Sequence, residues 1–321
     1  MSSSVPPAWL DQFVLSRTAD RAGRAREFHR AARAGRFVRI AHGVYLPAAT
    51  WAGLNADERY LAQVHGVALA NRPGLVFSHY SAAALWGLPL VGSWPALPEV
   101  VVGMGAVGAS RRSYSARKYP IPESPDVIDG LRVTPLARTL VDLGRSAPLE
   151  TSVAMMDHAL VAPDEHRPRL SAARVTKDAL VAEHGLIMSA RGMARCERAI
   201  ALADGRSGSA GESLSRVVMH VLGVPPPVLQ HPFHDNVGLI GYVDFWWPAF
   251  NLIGEFDGHG KYLRDELLAG QTTAEAVIAE KKREDRLRRC GPRVTRWDWA
   301  TARSTPRFRR HLVDAGLPAL A

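Results

Sequence analysis

Three acidic residues lie close together on two neighbouring apolar segments of the chain. Asp244 lies in VGLIGYVDFWW (237–247), and Glu255 and Asp257 lie two residues apart in FNLIGEFD (250–257). Both segments are rich in β-branched and aromatic residues and therefore predict the two strands of a hairpin. Because side chains alternate along a strand, we expect Glu255 and Asp257 on one face of the sheet, with Asp244 beside them.

Carboxylates grouped in this way repel one another unless a cation neutralises them. Hard oxygen ligands favour Mg²⁺ or Mn²⁺ over zinc, and the candidate metal ligands are Asp244, Glu255 and Asp257. Such an ion generates hydroxide from bound water and stabilises the charge of a phosphodiester transition state. Glu212, on the preceding predicted helix, is a candidate fourth carboxylate.

Basic residues follow the acidic cluster along the chain. Lys261, Lys281 and Lys282 are candidates to orient the attacking water or to contact a phosphate. His259, between two glycines, is either a turn residue or a base of the site. The competing interpretation of the whole cluster is that its acids are solvated charges, which discourage pairing at sheet edges.

Length and composition define the domains that must hold these residues. A chain of 321 residues with 47% hydrophobic and 22% charged residues predicts two or three globular domains. We place them at residues 1–50, 51–180 and 181–321. The turn-rich sequence DGRSGSAG (204–211) precedes a change in sequence character within the last of them.

The N-terminal segment predicts helices followed by a small hairpin. Apolar residues recur at helical spacing over residues 9–36, and Gly35 ends the pattern. The sequence FVRIAHGVYL (37–46) then predicts two short strands that turn at His42 and Gly43. This order of elements is typical of a winged helix-turn-helix.

The rest of the chain predicts a mixture of helices and strands. In the middle region we expect helices at 56–71 and 134–145, strands at 99–104 and 131–133, and a loop at 112–129. After residue 211 we expect a helix, a proline-rich loop, the two strands that carry the acids, a basic helix and a last strand. The predicted fold class is therefore mixed α/β.

Positive charge is concentrated at two places in the sequence. The chain has 40 Lys and Arg against 31 Asp and Glu, a formal net charge of +9. Residues 16–43 contain eight Arg and two acids, and residues 281–310 contain twelve Lys and Arg and three acids. The remainder is net acidic. This distribution predicts a polyanionic partner, and the alternative is two solvated basic surfaces.

Other features exclude some classes of protein. Cys196 and Cys290 are too few for a disulfide framework or a tetrahedral zinc site, so we expect free thiols in a reducing cytosol. The opening MSSSVPPAWL lacks the features of a signal peptide, and no apolar run approaches the ~20 residues that a membrane helix needs. The expected location is the bacterial cytoplasm, in association with the nucleoid and without a membrane partner.

Four motifs follow one another in the C-terminal part of the chain. GESLSR, YVDFWWP, GEFDGHGKY and EKKREDRLRRCGPRVTRWDW resemble the PD-(D/E)XK nuclease superfamily, and within it the compact domain related to very-short-patch-repair endonucleases. The resemblance, over residues 205–315, implies a restriction-endonuclease-like α/β fold with metal ligands at Asp244 and Glu255 and a helix carboxylate at Glu212. Asp257 stands where the superfamily usually has Lys, a role that Lys261 or Lys281 would take over.

The N-terminal half is similar to another family. GRFVRIAHGVYLP (35–47), SAAALWGLPL (81–90) and VTPLARTLVDL (133–143) resemble the AbiEi family of antitoxins and its actinobacterial relatives. In that family an N-terminal winged helix binds promoter DNA and represses its own operon. Arginine suits this role because it contacts phosphates and binds guanine in a bidentate way. The resemblance implies DNA contacts by Arg24, Arg26, Arg30, Arg33 and Arg36 on the recognition helix and its exit, and by Arg39 and His42 on the wing. The second basic segment adds Lys282 and Arg286 as candidate DNA contacts.

These observations predict two specific functions. The first is a protein that binds double-stranded DNA and carries a Mg²⁺-dependent endonuclease domain, active in genome defence or repair. The second is an AbiEi-like antitoxin and autorepressor whose nuclease-like domain is a non-catalytic scaffold, with a toxin encoded nearby as its partner. A third, less specific alternative is an interaction protein whose basic tail docks on a partner.

Overall fold

The computed structural model describes residues 7–23, 25–71, 73–103, 113–160, 175–187, 191–258 and 273–318. The fold is mixed α/β, as the sequence predicts. It divides into two compact units: the first comprises the described residues of Met1–Ala147 and Pro163–Glu197, and the second those of Pro148–Ala162 and Arg198–Ala321. In the described part of the chain, every helix is too short or too polar to cross a membrane.

Helices and strands are interspersed along the whole sequence. The α-helices are α1 (Ser16–Arg21), α2 (Ala25–Arg33), α3 (Ala48–Gly53), α4 (Ala56–Ala70), α5 (His79–Leu85), α6 (Leu136–Ser146), α7 (Leu149–Leu160), α8 (Lys177–Gly185), α9 (Met193–Leu202), α10 (Ala210–Val221), α11 (Thr273–Arg289), α12 (Trp299–Ala302) and α13 (Thr305–Asp314). The strands are β1 (Val14–Leu15), β2 (Phe37–Ala41), β3 (Val44–Pro47), β4 (Val76–Phe77), β5 (Glu99–Val102), β6 (Ser115–Lys118), β7 (Asp126–Ile128), β8 (Leu131–Val133), β9 (Val228–Asp235), β10 (Gly238–Trp247), β11 (Leu252–Phe256) and β12 (Arg293–Trp297).

The first unit begins with α1 and α2 and a three-stranded antiparallel sheet in the order β1-β3-β2. The predicted hairpin is confirmed, and Gly43 adopts φ +71° in the turn between β2 and β3. The predicted helical pattern over residues 9–36 is wrong at Val14 and Leu15, which form β1 and pair with β3. Pairing with a strand far along the chain overrides the local helical spacing there.

Helix α4 packs closely against this small sheet. Gly66 permits the approach, since a Cβ at this position would lie 2.6 Å from Ile40 Cγ2. The helix begins with a capping box, in which Asn55 and Glu58 each accept a hydrogen bond from the main chain of the other. The start of α4 is therefore fixed by its own sequence, and its packing by a glycine.

A five-stranded mixed sheet in the order β6-β5-β4-β8-β7 forms the rest of the first unit, with α5 and α6 following two of its strands. The predicted strands at 99–104 and 131–133 and the helix at 134–145 correspond to β5, β8 and α6. The loop expected at 112–129 instead contains β6 and β7. Strand β6 is stabilised by parallel pairing with β5, which a local pattern does not reveal.

The second unit contains the element order α10-β9-β10-β11-α11-β12. Its four-stranded sheet has the order β12-β11-β10-β9, with antiparallel pairing throughout except for β12, which lies parallel to β11. The predicted hairpin of residues 237–247 and 250–257 is confirmed as β10 and β11. Strand β9 was expected as loop; it contains Pro232, which an edge strand tolerates.

Aromatic packing fixes α10 and the strands of the second unit. A Cβ at Gly254 would lie 2.6 Å from the Trp297 ring and 2.9 Å from that of Trp247, and a Cβ at Gly211 would overlap Phe256. The indole N–H of Trp297 donates to Ser215 Oγ of α10 at 2.8 Å. These contacts set the helix that carries Glu212 at a fixed position on the sheet.

Candidate carboxylate site of the second unit

Asp244 and Glu255 are buried neighbours on adjacent strands. The antiparallel register of β10 and β11 runs through Phe245↔Gly254, and its continuation by one residue sets Asp244 opposite Glu255. Each residue is 6% exposed. The main-chain N–H of Phe256 donates to Asp244 Oδ2 at 2.8 Å. The structure thus sets Asp244 beside Glu255, as the predicted hairpin implies.

Gln230 on β9 links this pair to helix α10. Its Nε2 donates to Asp244 Oδ1 at 3.2 Å and to Glu212 Oε2 at 3.0 Å. Gln230 has φ +50°, a left-handed conformation that is uncommon outside glycine. Strained backbone of this kind persists where its surroundings hold it in place, and it is frequent at functional sites.

Glu212 also caps its own helix. Its Oε1 accepts from Ser209 Oγ at 2.9 Å, and its Oε2 accepts from the Gly208 N–H at 2.8 Å. The N–H of Glu212 in turn donates to Ser209 Oγ at 3.3 Å. Glu212 therefore fixes the start of α10 and is connected to Asp244 through the amide of Gln230.

Ionising both carboxylates costs free energy, because the two groups are buried and would carry the same charge. Burial, followed by the charge of Asp244, raises the pKa of Glu255 to about 7, and the charges of Arg283 and Arg296 oppose this shift. Arg283 on α11 donates to Glu255 Oε1 at 3.1 Å, and Arg296 is the register partner of Glu255 on β12. A bound cation would favour the ionised form of Glu255 by the same electrostatics.

Asp257 does not join this pair in a larger acidic cluster of the described residues. Asp257 follows the end of β11, and its N–H donates to the Trp297 carbonyl at 2.8 Å. The described residues contain no group of three or more His, Cys, Asp and Glu that could hold a metal ion, so Asp257 does not complete a three-carboxylate cluster. His259 and Lys261 lie outside the described residues.

Helix α11 contributes arginine to the site where lysine was expected. Lys281 and Lys282 are exposed, whereas Arg283 reaches Glu255. Arg286, predicted as a DNA contact, instead forms two hydrogen bonds of 2.7 Å with Asp235 at the end of β9. This pair holds the pKa of Asp235 well below its usual range and fastens α11 to the β9–β10 turn.

Two residues of the site, Gln230 and Arg283, are not apparent from the sequence pattern. Gln230 lies on β9, and without that strand no register could align it with Asp244. Arg283 lies in a run of basic residues, within which its sequence position carries no signal that distinguishes it from Lys281 or Lys282. Both residues are identified by their contacts rather than by their spacing.

A second set of candidate residues forms a basic surface on the N-terminal elements. Helix α2 buries Phe28 and Ala31, and its arginines lie on the opposite, solvent-exposed side. The exposed residues of the predicted DNA-contacting set are Arg26, Arg30, Arg33, Arg36, Arg39 and His42. Arg24 lies outside the described residues.

Comparison with known proteins adds two relatives. No protein-family model matches the chain. The chain is similar to "Uncharacterized protein MT2308" of Mycobacterium tuberculosis strain CDC 1551 / Oshkosh and to "Uncharacterized protein Rv2248" of strain ATCC 25618 / H37Rv. Each is 30% identical over 169 residues, which make up 49% of this chain and 59% of the relative. The match therefore spans less than two thirds of either relative.

Proposed function

We propose that the second unit is a Mg²⁺-dependent DNA endonuclease domain of the PD-(D/E)XK type, related to very-short-patch-repair endonucleases. The observation that carries the proposal is the buried pair Asp244 and Glu255, opposite one another on adjacent strands. The order α10-β9-β10-β11-α11-β12 supports it, because a helix, an antiparallel meander and a helical crossover to a parallel strand are the core that this superfamily implies.

The residues present fit a single Mg²⁺ or Mn²⁺. In proteins Mg²⁺ is commonly held by one or two carboxylates, with waters and substrate phosphates as its other ligands. Asp244 and Glu255 supply two such carboxylates, and a bound cation would offset the burial and the Asp244 charge that raise the pKa of Glu255.

The ion would supply charge neutralisation and acidify a bound water. Asp244 is held in orientation by the Phe256 N–H and the Gln230 amide, so its oxygens are fixed before substrate binds. Glu212 positions Gln230. Arg283 forms an ion pair with Glu255 and would contact the scissile phosphate, the role for which the resemblance suggests Lys261 or Lys281.

The first unit would deliver this domain to duplex DNA. Helices α1 and α2 followed by the β2–β3 hairpin support a winged helix-turn-helix with α2 as the recognition helix. The exposed side of α2 carries Arg26, Arg30 and Arg33, which suit contacts with phosphate and with guanine. Arg39 and His42 lie on the hairpin, in the position of the wing.

Plasmid cleavage tests the nuclease proposal. Wild type, Asp244→Asn and Glu255→Gln are incubated with supercoiled plasmid and Mg²⁺ or Mn²⁺, and melting curves confirm that each variant is folded. We expect each substitution to lower the cleavage rate by about 100-fold or more. Asp285→Asn, at an exposed position of α11, is the control and retains activity. Equal cleavage by all four proteins would overturn the proposal.

One observation favours the second function, an AbiEi-like antitoxin and autorepressor with a scaffold domain. Arg283 already provides a positive charge to Glu255, and Asp257 replaces the usual lysine, so the acidic pair can be stabilised within the chain. A toxin encoded nearby would then be the protein partner. In this case Asp244→Asn leaves repression of the chain's own promoter unchanged, whereas loss of Arg30 and Arg33 relieves it in a reporter assay.

A further inference from the structure

The five-stranded part of the first unit holds another polar cluster, around the ring of Tyr119. His79, at the start of α5, is 1% exposed, and its ring centroid is 5.5 Å from that of Tyr119. Arg145, in the last turn of α6, is 6% exposed, with its guanidinium carbon 5.6 Å from the same ring. Tyr119 itself is half-buried, so the cluster lies just below the surface.

Both side chains keep a buried nitrogen that has no hydrogen-bond partner among the residues that the structure describes. Arg145 donates from Nε and NH2 to the Arg191 carbonyl at 3.3 and 3.0 Å, but its NH1 has no hydrogen-bond partner among the described residues. His79 Nδ1 lies 3.1 Å from Ser78 Oγ, and its Nε2 likewise finds no partner in the described chain. Buried polar groups are rarely left in this state, because each loses its bonds to water.

Positive charge surrounds His79. Arg117 forms an ion pair with Glu99, and Arg138 pairs with Asp142 at 3.0 Å. Asp142 acts electrostatically on Arg145 but forms its own ion pair with Arg138, so it compensates the buried charge of Arg145 only in part. Burial and then the charges of Arg117, Arg138 and Arg145 lower the pKa of His79 to about 3.

The backbone of His79 is also unusual. Its φ is +49°, a left-handed conformation that few non-glycine residues adopt. The ring is therefore held in place at a cost in backbone free energy, in addition to the cost of its unpaired nitrogen. Strain of this kind is common at ligand-binding positions.

We propose that this cluster binds a phosphate group, which accepts hydrogen bonds from His79 Nε2 and Arg145 NH1. Phosphate is the anion that fits best, because its oxygens accept from donors on several elements at once and match the fork of a guanidinium. The side chain of Arg117 is 42% exposed and provides a cation on the solvent side. The phosphate is either free or the terminal group of a nucleotide or oligonucleotide.

Inorganic phosphate tests the site in the full chain, with acetate at equal ionic strength as the comparison. We expect phosphate to shift the His79 ring signals in NMR and, at ten times its Kd, to raise Tm by about 3–6 °C. His79→Asn tolerates the left-handed backbone but lacks Nε2, and it loses both effects. His65→Asn is the matched control: His65 is also buried with an unpartnered Nε2 in the described chain, but the residue whose charge acts on it is Asp129.

The wild-type ring signals decide the outcome even if a variant does not fold. No shift with phosphate, together with equal Tm values in phosphate and acetate, would overturn the proposal and leave water as the partner of these nitrogens. A 5′-phosphorylated tetranucleotide and its 5′-hydroxyl form distinguish the two sources. Tighter binding of the phosphorylated form than of both its 5′-hydroxyl form and inorganic phosphate would assign the site to a nucleic-acid end.

Discussion

The main-chain N–H that follows Glu255 holds the carboxylate of Asp244: Phe256 donates to Asp244 Oδ2 at 2.8 Å. Gln230 occupies the other oxygen, Oδ1, at 3.2 Å. Asp244 is thus oriented by two elements of its own sheet. Glu255 is held differently, by Arg283 from helix α11, so its ionisation depends on a helix that packs on the sheet. Asp244 is therefore held by hydrogen bonds from its own sheet, and Glu255 by an ion pair with helix α11.

The stability of the second unit is expected to depend on the protonation of Glu255. Because its pKa rises from 4.5 to about 7 on folding, the folded chain binds this proton more tightly than the unfolded chain. Without divalent ions, stability therefore falls as pH rises from 4.5 to 7, by about 1–3 kcal/mol. Glu255→Gln removes this loss. Urea unfolding at pH 5 and pH 8 measures it, and an unchanged pH dependence in the variant would contradict the assignment.

Gln230→Leu is expected to lower both the stability of the second unit and its affinity for Mg²⁺. The substitution removes the donor shared by Asp244 and Glu212 and leaves two buried acceptors without it, which costs about 2–4 kcal/mol. The Mg²⁺ concentration that half-saturates binding should rise about 10–100-fold. Calorimetry with Mg²⁺ and urea unfolding check both effects. Gln12→Leu, which loses an exposed hydrogen bond to Thr50, is the control and should change stability by less than about 1 kcal/mol.

Gly254→Ala tests the aromatic packing under the site. The new Cβ would lie 2.6 Å from Trp297 and 2.9 Å from Trp247, so the rings must move, at a cost of about 1–3 kcal/mol. Gly258→Ala is the matched control, because its Cβ would meet Phe256 at an ordinary 3.5 Å. Thermal unfolding followed by tryptophan fluorescence separates the two. Equal Tm values would mean that the close contact at Gly254 does not constrain the sheet.

Binding of duplex DNA is expected to depend on the exposed arginines of α2. Each Arg that contacts a phosphate lowers the salt slope of binding by about one when it is removed. Arg30→Ala and Arg33→Ala should therefore weaken binding and flatten its salt dependence, as measured by fluorescence anisotropy at several KCl concentrations. Arg206→Ala, at an exposed position of the second unit paired with Asp204, serves as the control. If Arg30→Ala and Arg33→Ala bind DNA as tightly as wild type and the control do, α2 is not the recognition helix.

The sequence predicted the parts of this molecule that depend on local pattern. Alternation in β10 and β11 placed Asp244 beside Glu255, and the turn at Gly43 placed the β2–β3 hairpin. The local pattern did not predict strands that form by pairing with residues far along the chain. Strand β9 is polar and contains Pro232, so its sequence resembles a loop, and its pairing with β10 is not visible in the local pattern. Because β9 was not predicted, Gln230 could not be placed beside Asp244.

The same limit applies to the cations of the site. The superfamily pattern predicts a lysine at the site, whereas on α11 the contact with Glu255 is made by Arg283, two residues beyond Lys281. Which side of a uniformly basic helix faces the sheet depends on tertiary packing. Likewise, Arg286 was chosen for its charge, but its partner Asp235 lies about 50 residues earlier in the chain and is brought close by the fold.

The parallel position of β12 has a consequence for synthesis of the protein. Strand β11 and its Glu255 leave the ribosome before β12, yet β12 supplies Arg296 opposite Glu255 and the Trp297 carbonyl that accepts from Asp257. Because translation proceeds from the N-terminus, the acids are synthesised before the strand that flanks them. In a chain terminated before residue 293, β11 would be the edge strand of the sheet, and Glu255 would lack its neighbour Arg296.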